Sequence, residues 1–207
     1  MTTKICLLFL HISTEASNNH DGIAVYIKSN VHYNRRHDIE LDLIDCESVW
    51  VQLDHGFLKL DNKSFMFGCI YRFPSSSVIN FCEALQKVLH TLALNHRNVV
   101  IMGDLHVNLL HLSSPSFFNY SSVYQSFGYK CLISIHTCCI NDGSTLIGHA
   151  LSNLSQVPDA GIFNVDTSDH YTIFVRFNCH TTPTSISFIR HVLDRESFMM
   201  LCAPTGP

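Results

Sequence analysis

The sequence predicts an α/β domain, on three observations taken together. Short β-rich apolar runs fill its first third, an amphipathic stretch with helical spacing follows, and a wholly apolar run, Val99–Met102, comes next. "IAVYIK" at 23–28 follows Asp21-Gly22, a turn signal, and reads as a strand. "SVWVQL" at 48–53 and "SFMFGCIYR" at 64–72 repeat the pattern. The segment "DHGFLKLDNK" between them carries a glycine and an Asp-Asn pair suited to a hairpin loop, so the sheet is expected to be antiparallel or mixed.

Val78, Phe81, Leu85, Val88, Leu89 and Leu92 then recur at three- and four-residue steps and share one helix face. Ser75-Ser76-Ser77 after Pro74 offers N-capping hydroxyls, Glu83 and Lys87 form a favourable pair one turn apart, and the helix is expected to end near Asn95-His96. Val99–Met102 has the composition of a strand covered on both faces, and it runs into Gly103-Asp104. "HLSSPSFFNYSS" at 111–122 reads as a polar loop, and "SVYQSFGYKCLIS" as a short helix ending at Gly128 with a strand around Leu132–Ile135. "YTIFVRF" at 171–177 is the last expected strand; "NCHTTPTS" follows as a linker, and "FIRHVLDRESFMML" reads as a short helix. The expected division is an irregular start over 1–21, a domain over 22–177 and a linker-like tail over 178–207.

With 207 residues, 46% apolar and 14% charged, the chain suits one globular domain and is excluded from the disordered and polyelectrolyte classes. A net charge of −4 means that a nucleic-acid partner would have to be met by local charge or by a metal. Nine cysteines at irregular spacing are a poor disulfide framework and are expected as reduced thiols. No Cys pair has CxxC spacing and no His pair HxxxH spacing, so no structural zinc site is expected. In "MTTKICLLFLHIS" six apolar residues separate Lys4 from His11, fewer than a signal peptide uses, and the segment reads as a core strand or a frayed start. No apolar run approaches the ~18 residues of a membrane span. The expected location is intracellular, in the nucleus or cytoplasm, without membrane contact.

Three polar constellations mark strand ends: Tyr71-Arg72, Asp104 to Asn108, and Asp166 to His170. Acid–histidine pairs in such positions are held rigidly yet open to solvent. Their order, "CIYRFPSSS", "VVIMGDLHVNLL", "SFGYKCLISIHT", "STLIGHALSN" and "TSDHYTIFVRF", resembles the endonuclease/exonuclease/phosphatase superfamily. More narrowly it is similar to the apurinic-type endonuclease domain of non-LTR (LINE-like) retrotransposons, over roughly Gly22 to Phe177.

The resemblance implies a two-sheet, four-layer α/β sandwich and hydrolysis of a DNA phosphodiester with Mg²⁺ or Mn²⁺. It further implies that Tyr71 contacts the scissile phosphate and that Asp104 orients or deprotonates the attacking water and helps hold the metal. Asp169 would lie near that metal, and His170 would stabilise the transition state. A hard cation favours carboxylate oxygens and polarises a phosphate oxygen, which makes the set chemically coherent.

Departures from the pattern qualify the activity. His106 stands where the family's Gly-Asp-x-Asn motif has asparagine; it can donate to a phosphate but has a different reach and charges near neutral pH. Gly148 replaces the aspartate that orients the histidine, Cys138 replaces an arginine, and the family's first strand–helix unit with its metal-binding glutamate is expected to be missing. Glu15 stands either as a solvated loop carboxylate or as a substitute for that glutamate. The sequence thus implies a weakened or inactive endonuclease domain without an attached reverse transcriptase, or alternatively a non-catalytic remnant that binds nucleic acid or protein.

Overall fold

A computed structural model describes residues 3–8, 23–28, 31–41, 43–53, 64–95, 98–140, 143–163, 169–179 and 188–192. The central six-stranded sheet is assembled from β3 (Tyr33–Arg35), β4 (Cys46–Leu53), β5 (Phe65–Arg72), β6 (Asn98–Asp104), β7 (Lys130–Cys131) and β10 (Gly148–Ser152). Its order is β3-β4-β5-β6-β10-β7, with β5 and β6 parallel and every other pair antiparallel. The parallel pair is joined through helix α1 (Val78–Leu94), as a β–α–β connection requires. The antiparallel pairing of β4 with β5 is the expected hairpin, though its loop at 54–63 lies outside the described residues.

β1 (Thr3–Leu8), β11 (Asp159–Phe163) and β12 (Thr172–Cys179) make a second, three-stranded sheet in the order β1-β12-β11. Two smaller pairs complete the strands, β8 (Cys138–Ile140) with β9 (Gly143–Thr145), and β2 (Ala24–Lys28) with β13 (Phe188–Val192). Ile173 and Val175 of β12 join the same buried cluster as Val99 to Met102 and the apolar face of α1. All four residues from Val99 to Met102 are at most 1% exposed, which requires cover on both faces of β6. The architecture is therefore a mixed, sheet-rich α/β fold with few helices. No helix among the described residues is long and apolar enough to cross a membrane. Cys46, Cys69, Cys82, Cys131, Cys138 and Cys139 are free thiols.

Local chemistry explains both the agreements and the differences. Helix α1 starts where Ser77 accepts a hydrogen bond from the Asn80 backbone N–H, and it buries Phe81, Leu85, Val88, Leu89 and Leu92. The stretch 111–122, expected as loop, instead contains the start of helix α2 (Pro115–Ser126). Ser114 caps it by accepting from Phe117 N–H at 3.1 Å, and Pro115 occupies the first turn, where its missing donor is harmless. The proline is thus a helix starter. The helix ends at Phe127, and Gly128 takes a left-handed conformation at φ 76°.

The strand expected at 132–135 is shorter and earlier, at Lys130–Cys131. After Leu132 the chain leaves β10 to reach Thr137–Cys139, which pairs instead with Asp169–Tyr171. Residues 188–192, expected as helical, pair in extended form with β2, where branched Ile189 and Val192 suit a strand. With β1, expected as part of an irregular start, they extend the paired structure past positions 22 and 177.

Two glycines permit backbone approaches that fix the sheet. A Cβ on Gly68 would lie 2.5 Å from Cζ3 of Trp50, its cross-strand partner, so the buried indole rests on bare backbone. Gly103 is tighter: its φ is +155°, and a Cβ there would lie 1.7 Å from the Ile70 carbonyl oxygen on the neighbouring parallel strand. Gly103→Ala must therefore part β5 from β6 or distort the residue before Asp104. The expected result is a loss of at least about 3 kcal/mol in urea denaturation, from overpacking combined with backbone strain.

Candidate active site

Strand β6 ends in a carboxylate that two imidazoles approach. Asp104 is registered with Tyr71 on one side and Gly148 on the other, and it is 4% exposed. Its Oδ1 accepts from the His106 backbone N–H at 3.3 Å and lies 3.3 Å from His106 Nδ1; its Oδ2 lies 3.2 Å from His170 Nδ1. His106 Nδ1 is also 2.8 Å from the Arg72 carbonyl oxygen. Both groups around that nitrogen are acceptors, so Nδ1 carries the proton of the neutral ring and Nε2 the lone pair. Burial pushes the Asp104 carboxyl up, opposed by His106 and His170, and pushes the His106 imidazole down. The tight Asp104–His106 turn places His106 at φ 49°, a left-handed conformation that histidine tolerates better than most side chains.

Arg72, the last residue of β5, holds this turn in place. It is 2% exposed, and its guanidinium donates to the carbonyls of Leu105 (2.6 Å), His106 (2.8 Å) and Ser76 (2.7 Å) and to Ser76 Oγ (2.6 Å). One planar cation thereby ties the turn after β6 to the turn before α1. Tyr71 next to it is fully buried, its ring packing edge-on against Phe73 and His106 with centroids 5.1 and 5.9 Å apart.

A second buried group supports the far side. His149 of β10 accepts from Tyr120 Oη at Nδ1 (3.0 Å) and donates from Nε2 to the carbonyls of Val107 (3.0 Å) and Leu146 (3.1 Å). Complete burial lowers its pKa to about 4, so the ring is neutral and its tautomer fixed. Asn108 Oδ1 accepts from the backbone N–H groups of Leu110 and Leu146, and Leu105 N–H donates to Ile147 carbonyl. The turn after β6 is thus bonded along its length to the segment entering β10.

His170 arrives from another part of the chain. Cys138 and His170 form a β-bridge, Cys139 N–H donates to the Asp169 carbonyl at 2.9 Å, and Tyr171 N–H to the Thr137 carbonyl at 2.8 Å. The structure brings Tyr71, Asp104, His106 and His170 together, with Asp169 adjacent to His170. Although residue 148 is glycine, His170 has a carboxylate beside it, Asp104 Oδ2 at 3.2 Å from Nδ1. Thr137 stands over Gly148; its Oγ1 accepts from Ile147 and Gly148 N–H and would lie 3.2 Å from a Cβ at 148.

Among the described residues, the donors around His170 do not fit Mg²⁺. That ion requires an octahedral shell of oxygens. Both oxygens of Asp104 already face imidazole nitrogens, and the exposed Asp169 is accompanied by a thiol, Cys138, and by an imidazole. Glu15 lies outside the described residues. The clamp of Arg72 and the buried His149 were not assigned roles from sequence. Arg72 carried a signal, a lone charge at the end of an otherwise apolar strand, whereas His149 was hidden among buried neighbours.

Two outcomes are expected. Arg72→Lys keeps the charge but not the planar fork, and should cost at least about 3 kcal/mol in urea denaturation, since several charge-assisted bonds to buried carbonyls are lost. For His149 the folded pKa lies below the unfolded value, so unfolding takes up a proton. Its contribution is complete above about pH 6.5 and is lost as pH falls toward 4, by up to about 3 kcal/mol. Denaturation at stepped pH with a histidine NMR titration checks both the slope and the depressed pKa.

Neither a protein-family model nor a curated protein sequence matches this chain. Solved structures do. The endonuclease domain of TRAS1, a telomere-specific non-LTR retrotransposon, aligns with a TM-score of 0.56 at 9% identity, over 75% of this chain and 79% of that one. An endonuclease/exonuclease/phosphatase family protein from Bacteroides thetaiotaomicron aligns at 0.48 and 12% identity, over 75% of this chain and 64% of that one. The Xenopus laevis APE2 catalytic domain aligns at 0.48 and 16% identity, over 66% and 57%. This chain therefore spans less than two thirds of the last two. At such identities the likeness is one of architecture, and the chain has the endonuclease/exonuclease/phosphatase fold.

Proposed function

We propose that this chain is a phosphodiesterase domain of the non-LTR retrotransposon endonuclease type in which phosphodiester binding has outlasted fast Mg²⁺-dependent turnover. The observation that supports this reading is Asp104 with an imidazole on each oxygen, His106 on Oδ1 and His170 on Oδ2. With Nδ1 of His170 donating to Asp104, its Nε2 is the nitrogen that faces a ligand. From there the ring can meet a phosphodiester, while His106, its Nδ1 held between two acceptors, lines the site from the neighbouring turn. Tyr71, fully buried, packs its ring edge-on against that of His106.

Hydrolysis needs more than this grip. The described donor set does not suit the hard cation that would polarise the phosphate, and Asp104, the expected base, is committed to two imidazoles. Slow turnover follows from the same contacts that support binding. DNA is the substrate class expected from the resemblance, and with a net charge of −4 the chain would have to meet it through local contacts rather than bulk charge.

Two measurements test the reading. Titrating the chain with a thymidine dinucleotide, a minimal phosphodiester, should shift the imidazole NMR signals of His170 and His106; an unmoved His170 signal would overturn the site. On supercoiled plasmid with Mg²⁺, nicking should stay close to that of an Asp104→Asn control. Rapid Mg²⁺-dependent nicking abolished by Asp169→Ala would instead establish a competent Mg²⁺ endonuclease.

A further inference from the structure

The misfit with Mg²⁺ has a positive counterpart. We propose that Cys138 Sγ, the Asp169 carboxylate and an imidazole nitrogen of His170 form a three-ligand site for a Zn²⁺-type transition-metal ion, with a fourth position open to water or a phosphate oxygen. This inference goes beyond the proposed function and does not rest on it.

Geometry comes first. One donor atom from each residue lies within 4.8 Å of the other two. Tetrahedral zinc with bonds of ~2.0–2.3 Å separates its ligands by roughly 3.3–3.8 Å, so the three side chains would draw together on binding. The backbone is already fixed: Cys138 and His170 face each other across a β-bridge, and hydrogen bonds of 2.9 Å and 2.8 Å flank it at Cys139–Asp169 and Tyr171–Thr137. Cys138 is 1% exposed, His170 half-buried and Asp169 exposed, so the cluster opens toward solvent on the Asp169 side.

Chemistry selects the ion. One sulfur, one nitrogen and one carboxylate oxygen make a mixed set that suits zinc, whereas thiol sulfur is foreign to Mg²⁺ and Ca²⁺. The outer contacts agree, because Asp104 Oδ2 lies 3.2 Å from His170 Nδ1. With Nδ1 turned to that acceptor, Nε2 would be the nitrogen offered to the metal, the carboxylate–histidine–metal arrangement common around zinc. Spacing rules could not find such a site: its ligands are a cysteine and an Asp-His dipeptide from distant segments, joined only by the bridge.

Co²⁺ titration of the full chain under reducing conditions is the direct test, with Zn²⁺ affinity measured against a chromophoric chelator. The expected result is one Co²⁺ with tetrahedral visible bands and a thiolate-to-cobalt charge-transfer band. Cys138→Ser should remove that band, and Cys139→Ser should keep it. Asp104→Asn should keep the band yet weaken Zn²⁺ binding by ~10–100-fold, as an outer-contact loss does. Should Cys138→Ser fail to fold by circular dichroism, Asp169→Asn at an exposed position serves, with weakened Zn²⁺ binding expected. A band that survives Cys138→Ser or is lost in Cys139→Ser, Zn²⁺ binding unchanged by Asp169→Asn, or displacement of Zn²⁺ by excess Mg²⁺ would each overturn the proposal.

Discussion

A buried guanidinium with carbonyl partners organises the centre of this protein. Removing Arg72 from water is expensive, and the expense is offset only while its donors stay aimed at Leu105, His106 and Ser76. Those acceptors belong to two turns at the same end of the parallel strands β5 and β6. Their mutual position is therefore as rigid as the cation that joins them, and the Arg72 carbonyl returns the constraint by accepting from His106 Nδ1.

The rest of the site is built outward from that clamp. Gly103 lets β6 approach Ile70 closely enough to deliver Asp104 beside Tyr71, and the fixed turn then carries His106 back over the carboxylate. On the other side His149 bonds the same turn to α2 and to the entry of β10 while remaining neutral. A carboxylate held this way can serve two imidazoles at once, which explains how His170 keeps an orienting partner although residue 148 is glycine. Restoring an aspartate at 148 would first have to move Thr137, whose hydroxyl bonds two backbone N–H groups there.

Much of the scaffold was legible in the sequence because it rests on short-range periodicity. The β4 and β5 strands, the apolar face of α1 and the two-sided burial of β6 all follow from spacing and composition. The misreadings share a cause: each needed a partner distant in sequence. Pro115 reads as a loop residue until Ser114 is seen to cap a helix, and residues 188–192 read as helical until β2 supplies an edge to pair with.

The site divides along the same line. By itself the sequence determined which polar residues end the strands and in what order, Tyr71, Asp104, His106, Asp169 and His170, since that information is local to each motif. Only the tertiary structure decided how they are used: that Tyr71 is buried, that Asp104 serves both histidines, and that Cys138 stands against Asp169 and His170. Hydrogen bonding and metal ligation depend on distances of a few ångströms between groups tens of residues apart, and only the register of the strands sets those distances.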